Sequence, residues 1–432
     1  NGTGHIHHCD LIDSGSVTTH RGQGLKTIYV SNISASGIHH NLIRRSRDQA
    51  IMNRYGIGSI TKNEIYVDSY VTNSYAIGPA TDVSYNWIHG TGYHFVGIGF
   101  LRDTAASLFT MHAHHNFIHG QGEVPTLRDA EYNYDSSVIG VRLTQYQGAA
   151  VPYINWEYDN NVIVVKGRNH TLSVRGTQFA VDPAISGLRF HDNTVKCEIQ
   201  DSNTRGSCVV GEGDDVNNAS GNENPIYYEN NTFISNDVLV RFGELYGSGG
   251  YCQFRNNTFT KLGSRPQFVP IRIGYGNFAS YRNRFIDNTL GSGVALAPAL
   301  WQGSVDLTVP GTGPDQTRQN GVDNAPAGRR DYSIGHSWYI TALGSGGAPL
   351  ANTTIGVTDN LGVSYTTTTN ASGVARVELI SDSYEALAGV GTPTHFTHSG
   401  HLLTVSGYTS HVVSGGEFAI SNNSGSPTTI QF

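Results

Sequence analysis

Residues 111–120 read MHAHHNFIHG, with His112, His114, His115 and His119 in ten positions. The histidines raise the question of a metal, but the residues between them decide the fold. Ala113, Asn116 and Ile118 form the unit apolar-x-x-Asn-x-apolar. Working outward, the unit returns at Asn41/Ile43, Asn63/Ile65, Asn86/Ile88, Asn161/Ile163, Asn193/Val195, Asn231/Phe233, Asn257/Phe259 and Asn283/Phe285, with Asp10/Ile12 opening the series. Three residues before the anchors stand Ile38, Ile60, Val83, Ala113, Tyr158, Phe190, Tyr228 and Phe254; only His7 and Ser280 interrupt that column.

The intervals between anchors are 31, 22, 23, 30, 45, 32, 38, 26 and 26 residues. The shortest matches one coil of a parallel β-helix, and the longer ones read as coils carrying loops. The apolar residues would point inward. The Asn would take a tight bend, where it tolerates left-handed backbone and bonds to the Asn of the next coil. On these residues the chain resembles the right-handed parallel β-helix repeat proteins, the pectate-lyase-like superfamily. The resemblance covers residues 1 to roughly 300 and implies an all-β solenoid of about ten coils. It implies fold rather than function.

Composition agrees. Charged residues make up 14 % of the 432, against about 25 % in ordinary soluble domains. Gly, Asn, Thr, Ser and Tyr take the place of the Glu and Lys that helical surfaces prefer. The net charge of −7 gives no global basic field for nucleic acid. No apolar run approaches the roughly 20 residues of a membrane helix. The chain begins at Asn1 without a signal peptide and reads as a processed, extracellular protein. Cys9, Cys197, Cys208 and Cys252 are too few for a disulfide scaffold, although Cys197 and Cys208 flank the turn DSNTRGS and are a candidate pair. Asn169-His170-Thr171 and Asn352-Thr353-Thr354 have the form of glycosylation sequons.

The period places the histidines. His114 stands two before Asn116, in an outward column with His8, His39, Thr61, Ser84, Asp159, His191, Glu229 and Arg255. A flat ladder presents side chains in parallel, whereas Zn²⁺ needs three or four ligands converging at about 2.0–2.1 Å, so no metal site is expected. The column one after the anchor reads Leu11, Leu42, Glu64, Trp87, Phe117 and Val162, then Thr194, Thr232 and Thr258. An apolar stripe on an outward face marks an interface, covered by a loop, the second domain or another subunit. The repeat also starts within a dozen residues of Asn1, leaving an open sheet edge that a removed segment or a partner would cover.

Two long insertions are candidate sites. QGEVPTLRDAEYNYDSS (121–137) carries Glu123, Asp129, Glu131, Tyr132, Tyr134 and Asp135, a mixture suited to sugar binding or to Ca²⁺. GEGDDVNNASGNENP (211–225) contains Gly213-Asp214-Asp215, which resembles the Gly-Asp-Asp of polygalacturonase-type β-helix hydrolases. The resemblance implies that Asp214 and Asp215 protonate a leaving group and activate water. The family's Asn-Thr-Asp and Gly-His-Gly are missing, and Ile271-Arg272-Ile273 only faintly matches its later basic motif. A lyase would use residues 1–62 instead, where the local balance is +4 and Arg44-Arg45 stand beside His39-His40.

The repeat stops near Leu300. VPGTGPDQTRQNGVDNAPAGRRD (309–331) reads as linker, and period-two alternation follows from SWYITAL onward. Gly347-Ala348-Pro349-Leu350, Ile355-Gly356-Val357-Thr358-Asp359 and Ser372-Gly373-Val374-Ala375 resemble an Ig-like or carboxypeptidase-regulatory-like β-sandwich. The expected organisation is a β-helix over 1–305, a linker over 306–334 and a sandwich over 335–432, with no catalytic constellation in the sandwich. The expected function is that of a non-catalytic surface protein, structural or adhesive, that self-associates or docks another surface protein. The alternative is a lyase or hydrolase acting on an acidic polysaccharide.

Overall fold

A computed structural model describes residues 5–296, apart from 13–25, 31–36, 47–48, 54–57, 70–73, 93, 103–109, 123–136, 146–155, 169–170, 172, 181–187, 202–206, 212–224, 243–248, 251, 266–267, 274–279 and 295, and residues 330–432 apart from 387–393 and 414–423. Regular structure among these residues is entirely β-strand. No helix among them is long and apolar enough to cross a membrane.

The chain visits three parallel sheets in turn and then rises to the next rung. Sheet 1 starts with Ile6–His7 and Ile38–His39, and sheet 2 runs through ten strands from Asp10–Ile12 to Thr289–Leu290. Sheet 3 has nine strands, from Lys26–Val30 to Val269–Ile273. Residues at the same place in successive rungs are in register: Val83 pairs with Ala113, Ala113 with Tyr158, and Tyr158 with Phe190. The result is a solenoid, with one side chain per rung from each inward column stacked on its equivalents.

The core changes character along its length. Ile38, Ile60, Val83 and Ala113 fill the inner column of sheet 1 in the early rungs. Tyr158, Phe190, Tyr228, Phe254 and Phe285 fill it later, with Tyr228 on Phe254 at 4.8 Å and Phe254 on Phe285 at 4.6 Å between ring centroids. In sheet 3 the inward positions Gly97, Gly140 and Gly176 lack a side chain for a steric reason. A Cβ on Gly140 would stand 2.3 Å from Ile163 Cγ2 and 2.6 Å from the Gly176 carbonyl oxygen.

The anchoring Asn residues form a buried ladder. Asn116 Oδ1 accepts from the Asn86 amide side chain at 3.0 Å and from its backbone N–H at 3.1 Å. Asn116 Nδ2 in turn donates to Asn161 Oδ1 at 2.9 Å and to the Val83 carbonyl at 2.8 Å. The pattern repeats from Asn41 to Asn288. Each bend thereby satisfies backbone groups that would otherwise be buried without partners.

The structure departs from the sequence expectation at three places. In the first rung Cys9, not Asp10, occupies the ladder position: its N–H donates to Asn41 Oδ1, Ile6 pairs with Ile38 and Asp10 pairs with Leu42. In the last rung Asn288, not Asn283, receives the ladder bonds of Asn257, and Phe285 pairs with Phe254. Ile6 and Phe285 thus fill the apolar column at the two ends, in place of His7 and Ser280. The left-handed backbone, finally, belongs to the residue before the ladder Asn: His8, His40, Lys62, Tyr85, His115, Asn160, Asp192, Asn230, Asn256 and Asp287 all have φ between 52° and 57°.

The strand Arg330–Leu343 joins two structures. Its first half adds in parallel to Ser280–Ile286, and its length pairs antiparallel with Val374–Ala386. Tyr332 and Tyr384, stacked at 4.9 Å, join the apolar core of the solenoid. The later half belongs to a C-terminal unit, where the antiparallel strands Thr354–Thr358, Ser364–Thr368, His401–Thr404 and His411–Val413 form a separate sheet. Trp338, Ile340, Ile355, Val357, Val377 and Leu403 form a second core there. Residues 306–329 of the expected linker lie outside the described residues, while 330–334 are strand.

Candidate functional site

Three outward arrays follow from this register. The first is the stripe on sheet 2. Leu42, Glu64, Trp87, Phe117, Val162, Thr194, Thr232 and Thr258 are successive partners. Trp87 is 51 % and Val162 40 % exposed, so no described residue covers them. Leu11 leaves the column: it pairs with Ile43 and packs against the core, and Asp10 takes its place. Beside the stripe, Tyr66 stacks on His89 at 5.1 Å, and His89 lies 5.2 Å from Trp87 and 6.0 Å from Phe117. Burial holds the imidazoles of His89 and His119 below their ordinary value. Alternation places these rings two positions after the stripe and therefore on the same face.

The second array lies on the outer face of sheet 1. His112 Nε2 meets Asp159 Oδ1, and His114 Nε2 lies 3.3 Å from Asp82 Oδ1. Arg189 bridges Glu157 at 3.2 Å and Glu229 at 3.0 Å, and His191 lies 2.7 Å from both Glu157 and Asp192. The lattice reaches the C-terminal unit through Arg255, which contacts Glu378 at 3.0 Å. Burial works to raise the Asp159 carboxyl, but hydrogen bonds from His112 and Asn160 and the charges of His112 and His191 bring it below its ordinary range. A glycosidase acid needs the opposite shift. This lattice is therefore built to hold charges in pairs.

The third array is at the first two rungs. His7 stacks on His39 at 5.2 Å, His8 on His40 at 5.2 Å, and His5 lies 5.9 Å from His39. Along the chain, the Nδ1 atoms of His7 and His8 approach to 2.9 Å and those of His39 and His40 to 3.0 Å. The register corrects the sequence reading, which set His8 rather than His7 level with His39. Among the described residues no group of three or more His, Cys, Asp or Glu is arranged to hold a metal ion.

Arg44 and Arg45 are exposed on a strand of sheet 2, at an irregularity between Ile43 and Ser46; Arg45 has φ 55°, and Arg44 lies 3.6 Å from Asp10. His39 lies on sheet 1. Glu123, Asp129, Glu131, Tyr132, Tyr134, Asp135, Asp214 and Asp215, and with them the Ca²⁺ expectation, lie outside the described residues. Cys197 is buried on sheet 2, and the side chain of Cys208 is not among those described.

One constellation escaped the sequence reading, which expected none in the C-terminal unit. Asp359, His398 and Ser383 form a hydrogen-bonded line there. They are 39 and 15 residues apart with no motif between them. Only the antiparallel pairing of Val374–Ala386 with Thr394–Thr397 brings His398 beside Ser383. No protein-family model, curated protein or solved structure matches the chain.

Proposed function

We propose that this chain is an extracellular surface protein, structural or adhesive, in which a right-handed parallel β-helix of about ten coils is followed by an Ig-like sandwich. The β-helix is the non-catalytic part and associates through its sheet 2 face, with a second copy or another surface protein. The observation that carries this reading is the exposure of Trp87 and Val162 in one unbroken in-register column with Phe117, with Leu42 in the same column beyond Glu64. Rungs beyond Val162 carry Thr in that column, the residue a solvated ladder ordinarily uses. Contiguous apolar surface of this kind marks an interface, and Trp is among the residues enriched at interface anchors.

The test is the assembly state of the full chain by light scattering and negative-stain imaging. Fibres, sheets or a fixed oligomer that Trp87→Asp with Phe117→Asp disperses, at unchanged circular dichroism, support the reading. A monodisperse monomer removes self-association, and assembly indifferent to the pair of substitutions removes the sheet 2 face as its interface. A glycan is the other ligand the face would take, because Tyr66, His89 and Trp87 form a continuous ring surface against which the apolar face of a sugar can lie. Glycan-array binding that Trp87→Ala abolishes would identify that ligand.

A further inference from the structure

In the C-terminal unit His398 uses its two ring nitrogens differently. Nε2 lies 2.8 Å from Ser383 Oγ, and Nδ1 lies 2.6 Å from Asp359 Oδ2. With Nδ1–H donated to the Asp359 carboxyl oxygen, Nε2 keeps its lone pair directed at the serine hydroxyl. This is the connectivity of a nucleophile, its base and the group that orients the base, which is recognised by geometry and not by position in the sequence.

Burial is graded along the line. The Asp359 side chain is 0 % exposed, that of His398 is 6 % exposed, and Ser383 is half-buried. The supports are themselves fixed. Asp359 Oδ1 accepts the backbone N–H of Leu361 at 2.9 Å and of Val363 at 2.8 Å, in the turn between Thr354–Thr358 and Ser364–Thr368. The His398 N–H donates to the Ser381 carbonyl at 2.8 Å. A base held at both ends of its ring, with its nucleophile at the most exposed end of the line, supplies the nucleophile, base and orienting group of acyl transfer.

We propose that Ser383 is a nucleophile activated by His398 and oriented by Asp359, and that this unit hydrolyses small carboxylic esters. Ser383 Oγ attacks the carbonyl carbon while its proton passes to His398 Nε2, and the carbonyl electron pair moves onto oxygen. When that pair returns, the bond to the alcohol oxygen breaks and the alcohol leaves with the proton from Nε2. Water then gives a proton to Nε2 and attacks the acyl carbon. Ser383 Oγ departs and regains the proton. Ester and water become acid and alcohol, with no other reactant. The site is remote in sequence from the sheet 2 stripe and does not depend on it.

The test uses the full chain and a tagged fluorophosphonate, whose reactive phosphorus asks little beyond nucleophile and base. The Oγ–P bond forms, the P–F bond breaks, fluoride leaves and the serine proton goes to His398. Peptide mapping should find one adduct, on Ser383, absent from Ser383→Ala. His398→Gln should slow labelling about 10²–10⁴-fold, the usual weight of a general base. Asp359→Asn should slow it too, with circular dichroism unchanged. No adduct under conditions that label a control serine hydrolase overturns the proposal. So does an adduct elsewhere, or a rate indifferent to His398→Gln. If the two base variants unfold, the wild-type adduct map decides alone: Ser383 labelled supports the proposal, and any other result overturns it.

Discussion

Asn116 Nδ2 donates to Asn161 Oδ1 at 2.9 Å across 45 residues of sequence, and Asn161 Oδ1 also accepts the Asn116 backbone N–H at 3.0 Å. One amide thus ties two rungs together and closes a bend. Asn116→Ala would remove the acceptor for the Asn86 side chain and backbone N–H, both buried. Leaving buried donors unmatched costs about 1–3 kcal/mol each, so a loss of roughly 3 kcal/mol is expected. Urea unfolding of Asn116→Ala measures it; a loss below about 1 kcal/mol would mean the ladder is not a main source of stability.

The bend residues themselves carry strain. Lys62 has φ 55° and is exposed, while its N–H donates to the Ser84 carbonyl at 3.0 Å. Left-handed backbone costs a non-glycine residue about 1–2 kcal/mol. Lys62→Gly relieves that but raises the entropy of the unfolded chain, so a net gain below about 1 kcal/mol is expected. Lys62→Val should lose about 1 kcal/mol or more, because a β-branched side chain fits this backbone worst. Thermal melts of the pair should fall on opposite sides of the parent; the same order for both would contradict the bend geometry.

What the sequence revealed was periodicity, and what it hid was contact across long separations. The solenoid was legible because Ile38, Ile60, Val83 and their equivalents repeat against Asn at a fixed offset. The first rung was misregistered because Asp10 looks more like a ladder residue than Cys9 does; there the polar anchor and the apolar column disagree, and the column wins, Ile6 pairing with Ile38. The last rung carries the full unit at Phe285, Asn288 and Leu290, but Asn283 stands 26 residues after Asn257, repeating the interval before it, and drew the register away from Asn288. The bend was assigned to the wrong residue because Asn tolerates left-handed backbone. Here the buried position needs an amide that donates and accepts, and the strained position is taken by side chains as unlike as His115, Lys62 and Tyr85. The charge lattice was illegible because its partners come from different rungs: His112 and Asp159 are 47 residues apart.

Arg255 and Glu378 join the solenoid to the C-terminal unit through two nitrogens: Nε lies 3.0 Å from Oε1, and Nη2 lies 3.0 Å from Oε2. Burial works to raise the Glu378 carboxyl, but the Arg255 hydrogen bonds and charge, with Arg376, bring it below its ordinary range. A depressed carboxyl stabilises the fold above its unfolded value, near 4.5, and that contribution is lost as the pH falls through the lower folded value. Arg255→Ala should cost about 2 kcal/mol at neutral pH, less than a fully buried pair because both side chains keep some solvent contact. Chemical denaturation at pH 7 and again at pH 3 should show the penalty shrinking in acid. A penalty unchanged at pH 3 would mean that the cost is packing and not charge.

The histidines of the first two rungs should make the solenoid sensitive to mild acid. His39 lies below its ordinary value of 6.5, first through burial and then through the charges of His40, His7, His5 and His8. His114 is lowered by burial and then by His112, against Asp82 and Asp159. A base whose folded value is depressed favours the native state above the unfolded value. That advantage disappears as the pH falls from about 6.5 through the folded value. His191 has the opposite sign: burial lowers it, but bonds to Asp192 and Glu157 raise it overall, so its contribution is full below 6.5 and is lost as the pH rises through the folded value. The lowered group also includes His89 and His119, so it outweighs His191 in number and the melting temperature should drop between pH 7 and pH 5. His39→Gln with His40→Gln should flatten that drop, because it removes the lowered imidazole of the first two rungs together with the neighbour that lowers it most. A drop equally steep in the double variant would assign the acid sensitivity to the buried histidines of the later rungs.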